Sequence, residues 1–230
     1  MQKRIVRKLD LERFLSRVEP HAEPKPGLEQ YTIPGDAAAT MLYLAAYKYD
    51  DVIGKSVLDL GCGTGRLALG AAFLGAERVV GLDVDRESVR AALNFSEKTN
   101  LGSCTQWVAA DLEAVRGKFD TVLQNPPYGV QRLHADRRFL DKALELGKVV
   151  YSLHKSVSDS AVLRRKLKAS SEGLLSVEPS GFIEGFVRER GGRVKDVYAM
   201  LMTIPHMFSF HEKARHEFVV DLYVLEGNGV

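Results

Sequence analysis

The chain has little with which to cross-link itself. Its two cysteines, Cys62 and Cys104, fall in no CxxC arrangement, which gives no disulfide framework and points to a reduced, cytoplasmic setting. No run of roughly 18 apolar residues occurs. The opening MQKRIVRKLDLERFL is charged throughout, which argues against a membrane span and a standard signal peptide. Neither sign of charge dominates: 32 Lys and Arg against 30 Asp and Glu leave +2, so the net charge selects no partner. There is no internal repeat and no low-complexity tract.

What is present is the composition of an ordinary globule, 45% hydrophobic and 27% charged over 230 residues. One domain of that size buries about 70% of its unfolded surface without help from disulfides or metal. Leu11, Phe14, Leu15 and Val18 recur at helical spacing up to Pro20. After the linker HAEPKPG and the loop LEQYTIPG, Asp36 is placed to cap a helix through AAATMLYLAAYKY. Residues 1–50 thus read as a helical front piece with a covering loop, and 51–230 as the main domain, compact as one body. From residue 56 short apolar runs alternate with helical stretches: SVLDL, RVVGLDV, CTQWVAAD, FDTVLQN and VVYSL as strands, with helices between them. That alternation predicts a doubly wound α/β domain with a parallel sheet covered on both faces. KDVYAMLMTIP and HEFVVDLYVLE then predict a closing antiparallel hairpin. The weakly periodic stretch 155–178 is either an additional helix or an insertion.

In such a sheet, ligands sit beyond the carboxyl ends of the strands. DLGCGTG, residues 59–65, joins a strand to a helix, and Gly61, Gly63 and Gly65 permit a tight turn and close approach to a ligand. It is not a P-loop, since no Gly-Lys-Ser/Thr follows, and Arg66 spoils G-x-G-x-x-G. Asp83, twenty residues after Gly63, can accept both hydroxyls of a ribose, whereas Asp85 reads as a helix cap. Asp111 ends the third strand and could accept from an adenine amino group. Asn125-Pro126-Pro127-Tyr128 ends the fourth, and two prolines there make a stiff, non-helical loop. An adenine amino group is a poor nucleophile because its lone pair is delocalised. If the Asn125 oxygen and the Pro126 carbonyl each accept one of its hydrogens, that lone pair is freed for attack. Tyr128 offers a flat face on which an unpaired base can stack.

Taken together, DLGCGTG, the acid twenty residues on and N-P-P-Y resemble the S-adenosylmethionine-dependent methyltransferases that modify exocyclic or amide nitrogens. LEQYTIPGDAA, NPPYGVQRLHADRRFL and VVYSLHK narrow the resemblance to the methyltransferase-like-five family of archaea and eukaryotes, which methylates N6 of an adenosine in small-subunit ribosomal RNA. The match spans about residues 27–155, with a weaker echo in FIEGF and in IPHMFSFHEK and VDLYV. It implies a mostly parallel, seven-stranded, Rossmann-like sheet and S-adenosylmethionine as cofactor. It places Gln30, Tyr31 and Thr32 at the methionine end, with Asp59, Gly61, Cys62, Gly63 and Gly65 beneath. Asp83 and Val84 fall at the ribose, Asp111 and Leu112 at the adenine, and Asn125 between cofactor and base. The resemblance also implies a small zinc-binding activator protein on a sheet edge, with VAA and LQN as the runs to inspect. Two positions depart from the family: Tyr128 replaces the usual Phe, and Ile33 stands where Thr is usual, with Thr32 preceding it.

On the substrate side, His134 and Asp136 follow the N-P-P-Y loop. Residues 155–168 carry five basic groups against one acidic one, with Arg164, Arg165 and Lys166 as a grip for RNA. His206, His211 and His216 recur every five residues, a spacing that shares neither a helical nor a strand face, so no metal site is expected. Cys62 reads as a small packing residue. Other readings of the same pattern are methylation of a protein glutamine amide or of DNA adenine, a nicotinamide-dependent oxidoreductase, which leaves N-P-P-Y unexplained, and a non-catalytic binder.

Overall fold

The computed structural model describes residues 5–128, 135–205 and 215–228. Lys8–Leu15 (α1) buries Leu11, Phe14 and Leu15 along one stripe, with Val18 buried just beyond it. Gly35–Tyr43 (α2) runs on into a π-helical turn, Leu44–Lys48. The N-cap of α2 is Pro34, not Asp36. The extended proline ends the loop without needing an N–H, and Asp36 sits two residues further on, within the first turn, where its Oδ1 accepts the Ala37 N–H at 2.8 Å.

The βαβ alternation follows. Ser56–Leu60 (β1), Arg66–Leu74 (α3), Arg78–Asp83 (β2), Arg86–Lys98 (α4), Thr105–Ala109 (β3) and Phe119–Gln124 (β4) lead to Ala135–Leu146 (α5) and Gly147–Lys155 (β5). The stretch after β5 is a helix, Ala161–Ala169 (α6), and a three-residue strand, Leu174–Ser176 (β6). Gly181–Glu189 (α7) and the hairpin strands Arg193–Pro205 (β7) and Arg215–Glu226 (β8) complete the chain.

One sheet holds them in the order β3-β2-β1-β4-β5-β8-β7-β6, parallel from β3 to β5 and antiparallel thereafter. Among the described residues it has eight strands, not seven. The additional one, β6, is an edge strand too short to show alternation in sequence.

Leu58, Leu60, Val122 and Val150 meet Leu140 and Leu144 of α5 and Ile183 and Val187 of α7 on one face. On the other, Tyr151, Leu153, Met200 and Val220 pack with α1, α2 and α3. Each buried Leu or Val contributes about 1.5–3 kcal/mol. The first fifty residues therefore share the core of the sheet and have none of their own. No helix among the described residues is long and apolar enough to cross a membrane. The chain runs outward from β1 to β3 and returns to β4 on the other side of β1. This reversal opens a crevice at the carboxyl ends of β1, β2 and β4.

Candidate active site

The glycine loop turns at the end of β1, where Gly61 and Cys62 donate their N–H groups to the Leu82 carbonyl at 2.8 and 2.9 Å. A Cβ at Gly61 would lie 2.8 Å from the Phe139 ring, and one at Gly65 (φ +86°) 2.5 Å from Trp107. Both sites need glycine for close approach, while Gly63 faces open space. Asp83 receives the Gly63 N–H at 2.8 Å on one oxygen and the Asp85 N–H at 2.9 Å on the other. Asp59 is buried, and its Oδ2 accepts the Ala68 N–H at 2.9 Å. Burial, with Asp83 adding its charge, pushes the Asp59 carboxyl up to about 7. Burial and the same two carboxylates raise the Cys62 thiol, so Cys62 is held as a neutral thiol and not a thiolate.

The linker and loop before α2 lie across this floor. Their anchor is Asp85, which caps α4 through the Glu87 N–H and accepts from Lys25 Nζ at 2.9 Å and Gln30 Nε2 at 2.7 Å, with His21 Nε2 lying 2.8 Å away. Burial works to raise the Asp85 carboxyl, but the hydrogen bonds from Gln30 and Lys25 outweigh it and hold it well below the usual carboxylate range. The Gln30 oxygen accepts the Lys25 N–H at 2.7 Å, so both ends of its amide are spent on fastening the strap. His21, Asp85 and Glu87 come within 4.8 Å of one another, but the Asp85 oxygens already serve Lys25 and Gln30, which makes this an ion-pair hub.

At the end of β4, the Asn125 Nδ2 donates to the Tyr31 carbonyl at 3.4 Å, and its Oδ1 accepts the Tyr128 hydroxyl at 3.0 Å. The Tyr128 ring stands edge-on to Phe218, centroids 5.9 Å apart, and its hydroxyl lies 3.9 Å from Met202 Sδ.

A cavity of about 500 Å³ gathers most of the residues singled out in the sequence. Gln30, Tyr31 and Thr32 line it from the strap, and Asp59, Gly61, Cys62 and Gly63 from the loop. Asp83, Val84, Asp111 and Leu112 form one side, Asn125 and Pro127 the other. Asp111 also caps a short 3₁₀ turn and faces Arg138 at 3.4 Å. Gly65, Pro126 and Tyr128 do not line the cavity: Gly65 lies under Trp107, Pro126 is buried and Tyr128 faces Phe218. Asp136 sits in the first turn of α5. His134, like His206 and His211, lies outside the described residues, and the His216 ring tilts against Phe218. Arg164 is bound by Asp159 at 2.6 Å, whereas Arg165 and Lys166 are exposed. Sequence reasoning missed two lining residues in particular. Glu29 is buried with a left-handed φ of +49°, and its neighbour Gln30 drew attention away from it. Arg66 entered only as the residue that breaks a motif.

A carboxylate at the end of β2 and an amide at the end of β4, facing one cavity over a glycine loop, suit methyl transfer to nitrogen; the chain is an S-adenosylmethionine-dependent methyltransferase. The family model for ribosomal protein L11 methyltransferase (PrmA) matches residues 34–126. The chain is 34% identical to the Drosophila melanogaster rRNA N(6)-adenosine-methyltransferase Mettl5, over 81% of this chain and 91% of that one. It is 35% identical to the uncharacterized Methanocaldococcus jannaschii protein MJ0284, over 98% and 96% of the two chains. The crystal structure of the Pyrococcus horikoshii protein PH1948, described there as a candidate RNA methyltransferase, superposes with a TM-score of 0.79 at 36% identity, covering 97% of this chain and 99% of that one. The chain belongs to the METTL5 family of rRNA N6-adenosine methyltransferases.

Proposed function

We propose that this protein methylates N6 of an adenosine in ribosomal RNA, and that of the small subunit in particular. The observation that carries the reading is the Asn125 carboxamide, which lines the cavity with its nitrogen turned to Tyr31 and its oxygen to Tyr128. That oxygen has a second lone pair to offer an amino hydrogen. The second acceptor in this reading is the Pro126 carbonyl, which a target base would have to meet beyond the cavity lining, on a backbone stiffened by two prolines. Two acceptors draw the amino hydrogens aside and leave the nitrogen lone pair free.

The residues present fit the cofactor. Asp83 already holds two main-chain N–H groups, and its outer lone pairs suit the two hydroxyls of a ribose. Asp59 keeps one buried oxygen unpartnered in the cavity wall, suited to an ammonium. Asp111 and Leu112 line the wall where this reading puts the adenine. Bound there, S-adenosylmethionine supplies an electrophilic methyl group on a sulfonium. The methylated nitrogen is acidic enough to release its proton to water, so the residues need only orient and accept.

On α6, Arg165 and Lys166 are the exposed cations for RNA phosphates. A small activator protein would find β3, the outermost parallel strand, with Val108 exposed in the VAA run; LQN lies in the middle of the sheet. The cytoplasm is the setting that such a substrate and two free thiols favour. The L11 methyltransferase match raises a protein substrate; it takes in Asn125 and ends at residue 126, before the rest of the N-P-P-Y loop. Incubation with labelled S-adenosylmethionine and equal amounts of rRNA, ribosomal protein and DNA tests the reading. Label is expected in RNA, and label confined to protein or DNA would overturn it.

A further inference from the structure

Two side chains in the cavity wall, a carboxyl and a guanidinium, each keep one buried atom without a partner among the described residues: Oδ1 of Asp59 and Nε of Arg66. Buried polar atoms are nearly always satisfied, so an orphan beside a cavity is open to a further partner, whether water or ligand. Arg66, the first residue of α3, gives its terminal nitrogens to main-chain carbonyls, one to Ile33 at 2.5 Å and the other to Val18. Neutral acceptors do not cancel its charge. Asp36 acts on it as a distant charge without a hydrogen bond, and burial lowers the guanidinium to about 10, still protonated at neutral pH. Gln30, the polar side chain that the family resemblance places at the methionine end, already has its oxygen engaged by the Lys25 N–H and its nitrogen by Asp85.

We propose that Arg66 binds the carboxylate of the amino-acid end of S-adenosylmethionine, while Asp59 takes its ammonium group. This rests on reading the cavity as the cofactor site and is independent of which nitrogen is methylated. A zwitterion needs an acid and a base, and of the charged side chains lining the wall Asp59 and Arg66 supply the pair with a buried atom to spare. Because Arg66 also holds Ile33 and Val18, a carboxylate on it joins the cofactor to the strap that covers it.

Calorimetry with three probes tests the assignment without any methyl transfer. S-adenosylmethionine and its decarboxylated form differ only in the carboxylate, and 5′-methylthioadenosine lacks the whole amino-acid end. The wild type is expected to prefer S-adenosylmethionine over the decarboxylated form by about tenfold or more, the scale of one charge-assisted hydrogen bond. Arg66→Met should lose that preference yet bind 5′-methylthioadenosine within about twofold of wild type, and Arg66→Lys should retain part of it. An unchanged preference in Arg66→Met overturns the proposal. So does an equal weakening toward all three probes in both variants, which would make Arg66 only a staple between α3 and the strap. Failure of the wild type to bind any probe would instead remove the cofactor reading itself, and the proposal with it.

Discussion

At the scale of single residues, Tyr128 does what a phenylalanine there could not. Its hydroxyl bonds the Asn125 Oδ1 at 3.0 Å while the Asn125 Nδ2 turns to the Tyr31 carbonyl. The two bonds select one flip of the carboxamide, the flip that directs its nitrogen away from Tyr128. Burial, with Glu29 adding its charge, raises the Tyr128 hydroxyl, so it remains a donor across the neutral range. Tyr128→Phe removes one hydrogen bond, a loss of about 0.5–1.5 kcal/mol. It should lower kcat/KM for RNA by about two- to tenfold while leaving cofactor affinity unchanged. Steady-state methylation and calorimetry read the two quantities. An unchanged kcat/KM would mean that Tyr31 alone orients the amide.

At the scale of elements, β4 and β5 share a buried polar chain just beneath the acceptor loop. Gln124 Nε2 donates to Ser152 Oγ at 2.8 Å, which lies 2.7 Å from His154 Nε2. Burial, against the opposing charge of Asp136, lowers His154 to about 4 from its ordinary 6.5. As pH falls below 6.5, the unfolded chain takes up a proton that the folded chain refuses until about 4. The contribution of His154 to stability is therefore whole above 6.5 and is lost between 6.5 and 4, by up to about 3 kcal/mol. Urea denaturation at pH 7 and pH 5 should show the wild type losing more than His154→Gln, and equal losses would contradict the assignment. The strands were legible in sequence because SVLDL, FDTVLQ and their neighbours are short runs rich in Val, Leu and Phe between helical stretches. The glycine loop and Asp83 were legible from spacing alone. What was hidden depends on distant pairings: Gln30 meets Asp85 across 55 positions, and Gln124 meets Ser152 across 28. No local pattern announces that an amide is already spent, or that three residues at 174–176 will extend an edge.

At the scale of the whole molecule, the basic stretch after β5 divides into tied and exposed cations. Arg164 is held by Asp159 at 2.6 and 2.7 Å and Lys168 by Glu217 at 2.8 Å, while Arg165 and Lys166 are exposed on α6. Reversing both charges, Arg165→Glu with Lys166→Glu, should weaken RNA binding and reduce the slope of log affinity against log salt by about 2. A slope equal to that of the wild type would move the RNA to another face. Its family makes the chain an rRNA nitrogen methyltransferase, and in the proposed mechanism the Asn125 amide is the part on which the chemistry turns. The most direct measurement is nucleoside mass spectrometry of unmodified small-subunit rRNA incubated with S-adenosylmethionine and either wild type or Asn125→Ala, with S-adenosylhomocysteine binding measured on both. N6-methyladenosine should form with the wild type and fall by about a hundredfold or more with Asn125→Ala at similar cofactor affinity, the scale of removing one transition-state hydrogen bond. An N6-methyladenosine yield that Asn125→Ala leaves intact would contradict the role given to Asn125, and none from the wild type would contradict the function itself.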